Sequence, residues 1–429
     1  MAVTGEQAFH PSLRSAFFNK ILVKVNNGQW DKEDLRQLLK SNEASFIELS
    51  LLARYVRLVN FGGMVKVRGV IEISNNCHNS CNYCGMRVQN KDLPRYRLQA
   101  ETIIAIAKQI RQSGIKTVFL QSGDDEGFKA EELCQIISEI KKQTEAEVLL
   151  CLGERKIEDY SAFHDAGADS AIIKHETSDA GLFGLIKPGG KMGERQGLLK
   201  ALKEIGYRIG SGVIIFPLYS ELCNMLSIGE LISEGKNRAK LIEIGIENAL
   251  QKCIVPLIRI RDRTKDNMGK VEEYVSSLPE IMPALLCLRY NQYMDSLVND
   301  ILLMKEMGVD MASAAPFIPN EQSPMLNWPA GSLDLTLRFM VACRLILPDA
   351  LIPSVSALGR VEGWRKERPG IYDGLMAGAN VVTVNFTPPN VREGYAIYSG
   401  NRADEYIVSF EKAMSAIEKA GLKPDLSMT

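Results

Sequence analysis

Three cysteines, Cys77, Cys81 and Cys84, lie within eight residues in a 429-residue chain, with the spacing Cys-x3-Cys-x2-Cys. A [4Fe-4S] cluster normally takes four thiolates, so three thiolates would leave one iron open to a small-molecule ligand. A structural zinc ion needs four nitrogen or sulfur ligands, and the one nearby candidate, His78, is adjacent to Cys77. The pattern therefore favours an iron–sulfur cluster over zinc or an inert thiol group.

The elements that must position these thiols alternate along the chain. Short β-branched runs are separated by longer amphipathic stretches, which is typical of repeated βα units around a parallel sheet. The number of runs predicts an α/β fold, a (β/α)8 TIM-type barrel whose active site lies at the carboxyl ends of the strands. The eight runs are 65–74, 117–122, 147–153, 170–176, 207–216, 311–318, 351–357 and 380–386.

The remaining segments are additions to this barrel. Helical spacing precedes the first run, and the connection between the fifth and sixth runs is far longer than one crossover needs, which predicts an insertion. The predicted organisation is an N-terminal helical extension (1–64), a first part of the barrel (65–216), an inserted, mainly helical subdomain (217–290), a second part of the barrel (291–400), and a C-terminal helix and tail (401–429).

Composition restricts the class of protein. Lys+Arg 51 against Asp+Glu 52 gives a net charge of -1, which does not favour a broad phosphate-binding surface. No apolar stretch approaches the roughly 18 residues of a membrane span, and the first residues carry His10, Arg14 and Lys20 where a signal peptide would be apolar. Nine cysteines are too few for a disulfide scaffold. We expect a cytoplasmic protein with no nucleic-acid or membrane partner.

The cysteine motif, with Tyr83 before its last cysteine, resembles the signature of the radical S-adenosylmethionine (SAM) superfamily. Most of the predicted barrel is similar to the biotin-synthase-related branch, and in particular to the [FeFe]-hydrogenase maturase family HydE. This resemblance implies that the open iron binds SAM, and that reductive cleavage gives a 5'-deoxyadenosyl radical that acts on a small substrate inside the barrel. It further implies a low-potential electron donor, flavodoxin or ferredoxin, and a role in cofactor biosynthesis.

The resemblance also implies which residues bind SAM. Gly123 and Asp124 match the segment that receives the methionine amino group. HydE has glutamate where this chain has Asp124, so Asp125 remains an alternative for that contact. Arg195 matches the arginine that pairs with the methionine carboxylate, and Glu176 matches an acid near the ribose or the ammonium. The complete predicted set is Tyr83, Ser122, Gly123, Asp124, Glu176, Arg195 and Asn385.

Deeper in the barrel, the match to the family is less regular. Lys174 stands where the family has arginine, which keeps the positive charge but loses the planar fork. Val355 and Ser356 fall where the family has a threonine pair. The predicted substrate-binding residues are Arg155, Lys174, His175 and Ser356, and the predicted catalytic residues are the three cysteines with Tyr395 and Tyr398, which match two tyrosines of the family.

One further prediction concerns the cofactor, and two alternatives concern the function. Residues 385–429 contain no cysteine, so we predict a single cluster. Within the enzyme class, a 3-methylornithine-synthase-like mutase acting on an amino acid is the second hypothesis. From another class, the chain could be a non-catalytic iron–sulfur scaffold that has kept the barrel.

Overall fold

The computed structural model describes residues 15–217, 291–326, 328–361, 370–398 and 407–426. The predicted inserted subdomain lies outside the described residues, apart from its first residue. Among the described helices, none combines the length and the apolarity that crossing a membrane requires.

Three helices precede the barrel. Each begins after a residue whose side chain accepts a hydrogen bond from the first turn, which satisfies an otherwise unpaired backbone N–H. These cap residues are Ser15, Asp31 and Asn42. The helices are α1 (Ala16–Asn27), α2 (Lys32–Leu39) and α3 (Glu43–Phe61). The helical extension predicted before the barrel is thus present.

Eight parallel strands form a nearly closed barrel, in the order β6-β5-β4-β3-β2-β1-β8-β7. Its two ends meet through a parallel bridge between Met311 and Leu351. The strands are β1 (Met64–Ser74), β2 (Thr117–Ser122), β3 (Glu147–Cys151), β4 (Ser170–Ile172), β5 (Arg208–Ile215), β6 (Met311–Pro316), β7 (Pro353–Ser354) and β8 (Val381–Asn385). The predicted (β/α)8 fold is confirmed. A ninth strand, β9 (Lys423–Asp425), pairs with the start of β1 and was not predicted.

Helices cover the outside of the barrel and follow its strands. They bury apolar faces at helical spacing, as Ile103, Ile106 and Ile110 do in the first of them. The helices are α4 (Ala100–Gln112), α5 (Ala130–Thr144), α6 (Ile157–Asp165), α7 (Ala180–Ile186), α8 (Met192–Ile205), α9 (helical over the described residues 291–307), α10 (Leu333–Ile346), α11 (Gly370–Met376), α12 (Pro389–Arg392) and α13 (Phe410–Lys419).

One apolar layer fills the barrel lumen and is contributed by five strands. We call it the lumen floor: Val70, Phe119, Leu149, Ile172 and Met311. Side chains alternate along a strand, so the inward residues nearer the carboxyl ends lie above this floor. These residues are polar: Glu72, Gln121, Cys151 and, two residues beyond Ile172, Lys174. The fold thus provides a lumen with an apolar base and a polar upper wall.

Candidate active site

The cysteine motif lies in the loop that follows β1, at the carboxyl end of the barrel. Asn82 anchors this loop to α7: its backbone N–H donates to the Ile186 carbonyl at 2.8 Å, and its side-chain amide donates to the Leu185 carbonyl at 2.7 Å. Arg95 holds the loop from within, since its guanidinium donates to four backbone carbonyls at 2.7–3.1 Å. The four carbonyls belong to Asn75, Met86, Arg87 and Asn90.

Burial raises the pKa of all three thiols, and that of Cys81 reaches about 12. For Cys81 and Cys84, the negative charge of the neighbouring thiols adds to the effect of burial. Thiols of this kind are poor free nucleophiles, but a metal cation can take the place of their protons. The donor set therefore fits a metal-bound role.

The arrangement of the thiols also bears on the type of metal site. Within the part of the chain that the structure describes, no three His, Cys, Asp or Glu side chains converge to hold one metal ion. A [4Fe-4S] cluster does not need such convergence, because its cysteines ligate different irons. The three thiols of one loop fit that requirement, with one iron left for another ligand.

A group of charged side chains, three of them buried and two partly buried, lies beside the cysteine loop. We call it the charged cluster: Asp124, Glu154, Glu176, Lys187 and Arg195. The Glu154 Oε1 atom lies 2.9 Å from Arg195 Nη1 and 3.2 Å from Lys187 Nζ. Longer distances join Lys187 Nζ to Asp124 Oδ2, 3.9 Å, and Arg195 Nη2 to Glu176 Oε1, 4.0 Å. Three acids and two cations thus share one site, in which the ion pairs of Glu154 are short and those of Asp124 and Glu176 are long.

Glu176 departs most from ordinary geometry in this cluster. Its φ is +67°, in the left-handed region that is uncommon for residues other than glycine. Its Oε1 atom accepts a hydrogen bond from the Tyr83 hydroxyl at 3.3 Å, whereas its buried Oε2 atom has no hydrogen-bond partner among the described residues. Backbone strain and an unpaired buried oxygen are typical of ligand sites.

The structure separates the two candidate aspartates. Both oxygens of Asp125 are engaged: Arg97 donates to them at 2.6 and 2.7 Å, Ser74 at 2.6 Å and the Gly127 N–H at 3.0 Å. Asp125 therefore braces the loops and has no lone pair left for a ligand. Asp124 lies in the charged cluster instead, where its carboxylate accepts from Asn79 and from the Glu154 N–H.

Two predicted substrate-binding residues lie away from the lumen. His175 is fully buried, with Nδ1 2.8 Å from Ser211 Oγ and Nε2 3.2 Å from Asp300 Oδ1 in α9, so it joins the end of β4 to that helix. Arg155 donates to the Asp125 and Phe128 carbonyls at 2.7 Å each. It lines a cavity of about 360 Å³ beside Asp124. These contacts give His175 a positioning role, because both of its ring nitrogens are occupied by the fold. Arg155 is held by two backbone carbonyls, but its buried Nε atom has no hydrogen-bond partner among the described residues.

The other predicted residues lie at the carboxyl ends of the strands. Tyr395 is buried against Met86, and Tyr398 packs near Ala357. Ser122 ends β2, and its hydroxyl donates to the Gly123 carbonyl at 2.7 Å. Ser356 is exposed at the start of a 3-10 helix after β7, and Asn385 ends β8 with its Oδ1 accepting from the Thr387 N–H at 2.8 Å.

The model of the radical SAM superfamily matches residues 71–222. The [FeFe] hydrogenase maturase subunit HydE of Thermotoga maritima is 31% identical over 413 residues, which cover 94% of this chain and 95% of that protein. The chain belongs to the HydE family. A 3-methylornithine synthase of Methanosarcina acetivorans is 22% identical, with 93% of this chain and 92% of that protein covered.

Solved structures agree on the fold. Methylornithine synthase (PylB) has a TM-score of 0.68 at 21% identity and covers 94% of this chain and 96% of its own. The maturase HydG from Carboxydothermus hydrogenoformans has a TM-score of 0.66 at 16% identity, with 96% and 80% covered. Radical SAM proteins such as HydE bind a [4Fe-4S] cluster and SAM, so the cofactor prediction is confirmed.

Sequence reasoning missed three residues of this HydE-family site. Glu154 directly follows the third predicted run but was not assigned a role. Lys187, whose side chain is 2% exposed, lies in a glycine-rich segment that reads as a turn. Glu72 faces the lumen, and the alternation Lys66, Arg68, Val70, Glu72 along β1 is the signal that could have identified it.

Gly123 is the position where the barrel comes closest to the cysteine loop. A Cβ atom there would lie 2.9 Å from Cys77 Cβ and would overlap the Asn76 carbonyl oxygen, which is backbone and cannot rotate away. We expect Gly123→Ala to displace Cys77 and to lower the iron content after reconstitution to less than half of the wild-type value. Gly197→Ala is the matched control, because its Cβ would meet nothing within 4 Å. Equal iron content in both variants would contradict this role.

The Arg97–Asp125 pair should make stability depend on pH. Burial alone would raise the pKa of Asp125, but the hydrogen bonds from Arg97 and Ser74 outweigh burial and lower it. A lowered pKa in the folded protein stabilises it above the unfolded-state pKa of about 3.9, and this contribution is lost as the pH falls through the folded value. In urea unfolding, Asp125→Asn should lower the free energy of unfolding by about 2 kcal/mol at pH 7. The difference from wild type should shrink below about pH 4; a constant difference would exclude this explanation.

Proposed function

We propose that this HydE-family protein is a radical SAM enzyme that holds one [4Fe-4S] cluster on Cys77, Cys81 and Cys84, cleaves SAM reductively and acts on a small substrate in the barrel lumen, in the assembly of a metallocofactor. The observation that carries the proposal is the charged cluster beside the cysteine loop. Its acids and cations suit the ammonium and carboxylate of a methionine group, which carries one charge of each sign, and the ion pairs of Asp124 and Glu176 are long enough, at 3.9 and 4.0 Å, to be replaced by a ligand.

Within the charged cluster, the cations would bind the methionine carboxylate and the acids would bind the ammonium. Arg195 and Lys187 would bind the carboxylate, and Arg195 offers the planar fork that matches it. Burial lowers the pKa of Arg195, but Glu176 and Glu154 outweigh burial and raise it, so the guanidinium stays charged. The unpaired Oε2 atom of Glu176 would accept from the ammonium or the ribose, while the Tyr83 hydroxyl holds Oε1 in place.

The lumen would protect the reaction. When bound, the cluster and SAM supply a 5'-deoxyadenosyl radical. The lumen floor closes the barrel below the site, and the cysteine loop lies at its upper end, so side chains rather than water surround the substrate. Tyr398 packs against Ala357 and Ile318 in the upper wall, where it would contact the substrate.

The cellular setting belongs to the same proposal. We propose that a low-potential flavodoxin or ferredoxin supplies the electron, as the family resemblance implies. The protein would work in the cytoplasm, without nucleic-acid or membrane partners. The near-balance of charge in the sequence supports the absence of a nucleic-acid partner, because it does not favour a broad phosphate-binding surface.

The test is anaerobic. The protein is reconstituted with iron and sulfide, reduced and given SAM, and 5'-deoxyadenosine and methionine are quantified beside Cys81→Ala. We expect both products from the wild type and neither from the variant, because a cluster that has lost one of three thiolates is not held. Binding of about four irons per chain without any 5'-deoxyadenosine, even with candidate substrates added, would favour the scaffold hypothesis instead.

A specific observation also supports the amino acid mutase as a second candidate. The upper wall of the lumen carries both an acid, Glu72, and a cation, Lys174, which is the combination that an α-amino acid requires. Adding L-lysine to the same assay distinguishes the two candidates. A mutase would consume lysine and form an isomer of it, whereas the HydE-like reaction would leave lysine unchanged.

A further inference from the structure

Glu72 is a half-buried acid above the lumen floor. It follows Val70, a member of that floor, by two residues on β1, so both side chains face the lumen. Its backbone N–H donates to the Thr387 hydroxyl at 2.9 Å, and the side chains of Asn385 and Thr387 lie beside its carboxyl group. Its Oε2 atom, however, is buried and has no hydrogen-bond partner among the described residues. Leaving a buried acceptor unpaired is costly, so this oxygen is a candidate ligand atom.

The surroundings of Glu72 compensate the charge of its carboxylate only in part. Burial raises the pKa of this carboxyl group to about 7, and the hydrogen bonds from Asn385 and Thr387 and the charges of two arginines reduce the shift only in part. One of these, Arg392, donates to the Thr387 carbonyl at 2.6 and 2.9 Å rather than to Glu72. The groups that face Glu72 from neighbouring elements are Asn385, Thr387, Arg392, Arg360, Tyr96 and Tyr395.

Lys174 provides the opposite charge in the same lumen. Burial lowers the pKa of its ammonium group, but Glu176, Tyr398 and Cys151 outweigh burial and raise it, so the group stays charged. No described residue forms a hydrogen bond or an ion pair with this ammonium. Because Glu72 lies on β1 and Lys174 follows β4, three strands apart in the sheet, the two groups bound different sides of the lumen.

We propose that Glu72 and Lys174 are the two ends of the substrate site: the Glu72 carboxyl accepts a hydrogen bond from a basic nitrogen of the substrate, and Lys174 binds an anionic group. The substrate is therefore a small molecule that carries a basic nitrogen and an anionic group separated by a spacer. The reaction of this substrate rests on the proposed radical SAM function, whereas the binding of the substrate by Glu72 and Lys174 does not. The lumen floor limits the depth of the substrate, so its apolar spacer lies on Val70 and Phe119.

The test measures binding without turnover. The probes are linear ω-amino acids from glycine to 8-aminooctanoate, with the carboxylic acids and the amines of the same chain lengths. Each is titrated calorimetrically into reconstituted, SAM-saturated, unreduced protein, in which SAM covers the open iron. At the best length, we expect the amino acid to bind at least about tenfold more tightly than the acid or the amine, since each charged hydrogen bond contributes separately.

Variants identify the two ends. Glu72→Gln should weaken binding of the amino acid and the amine about tenfold and leave binding of the acid unchanged. Lys174→Met should weaken binding of the amino acid and the acid about tenfold and leave binding of the amine unchanged. Glu131→Gln, on the exposed surface of α5, is the matched control and should change none of the three. Iron content and circular dichroism are measured on every variant. If Glu72→Gln fails to fold, Glu72→Asp provides a second substitution, which keeps the carboxylate but withdraws it by one methylene from the lumen.

Several outcomes would overturn the assignment. These are absence of binding by every probe, equal affinity of the amino acid, the acid and the amine, or an equal effect of Glu72→Gln on all three. Failure of the proposed function gives a different result. In that case the reduced wild-type protein makes no 5'-deoxyadenosine, while the calorimetric pattern of the oxidised protein is unaffected.

Discussion

Arg195→Leu is expected to lower the rate of 5'-deoxyadenosine formation by about 100-fold or more, through weaker binding of SAM. Arg195 is 8% exposed and lies between Glu154, at 2.9 Å, and Glu176, at 4.0 Å. Removing the guanidinium leaves two buried carboxylates without their shared cation, and the methionine carboxylate would then meet like charge. The concentration of SAM that gives half the maximal rate should rise.

Two controls separate this effect from a loss of structure. Arg195→Lys keeps the positive charge but loses the planar guanidinium, and it should retain more activity than Arg195→Leu. The iron content and the electron paramagnetic resonance signal of the reduced cluster should match the wild type in both variants, but the change of that signal on adding SAM should be lost in Arg195→Leu. A full signal change in Arg195→Leu would exclude Arg195 from SAM binding.

Arg95→Ala is expected to abolish cluster assembly, and with it more than about 99% of the activity. The four carbonyls that Arg95 binds span the cysteine loop from Asn75 to Asn90, and all four lose this donor with the guanidinium. Of the four, the Arg87 carbonyl keeps a second donor, the Asn90 N–H at 3.1 Å. Hydrogen bonds to charged groups contribute about 1.5–3 kcal/mol each, so the loop loses its main internal support. Iron content after anaerobic reconstitution measures the effect.

Arg87→Ala is the matched control for Arg95. Arg87 belongs to the same loop, and its guanidinium donates to the Gln89 side chain at 2.9 Å on the exposed surface. Its loss should therefore leave the iron content close to the wild-type value. If Arg95→Ala also assembled a full cluster, the loop would have to be held by Asn82 and by the cysteines themselves, and Arg95 would have no positioning role.

Local patterns in the sequence determined much of this protein. The spacing of Cys77, Cys81 and Cys84 predicts the cofactor because ligands of one cluster must lie within reach of one loop. The eight apolar runs predict the barrel strands to within a few residues, since buried parallel strands are nearly continuous in apolar side chains. Glu176, the last residue of the fourth run, was expected at the carboxyl face of the barrel and lies there.

Only the tertiary structure decided which polar side chains meet. His175 and Lys174 are neighbours in sequence, but alternation places one outside the barrel with Ser211 and the other in the lumen. The sequence specifies that alternation but not which face is inward, because apolar residues cover both faces of a buried strand. Lys187 reaches the charged cluster because α7 packs against the cysteine loop, a contact between segments about 100 residues apart.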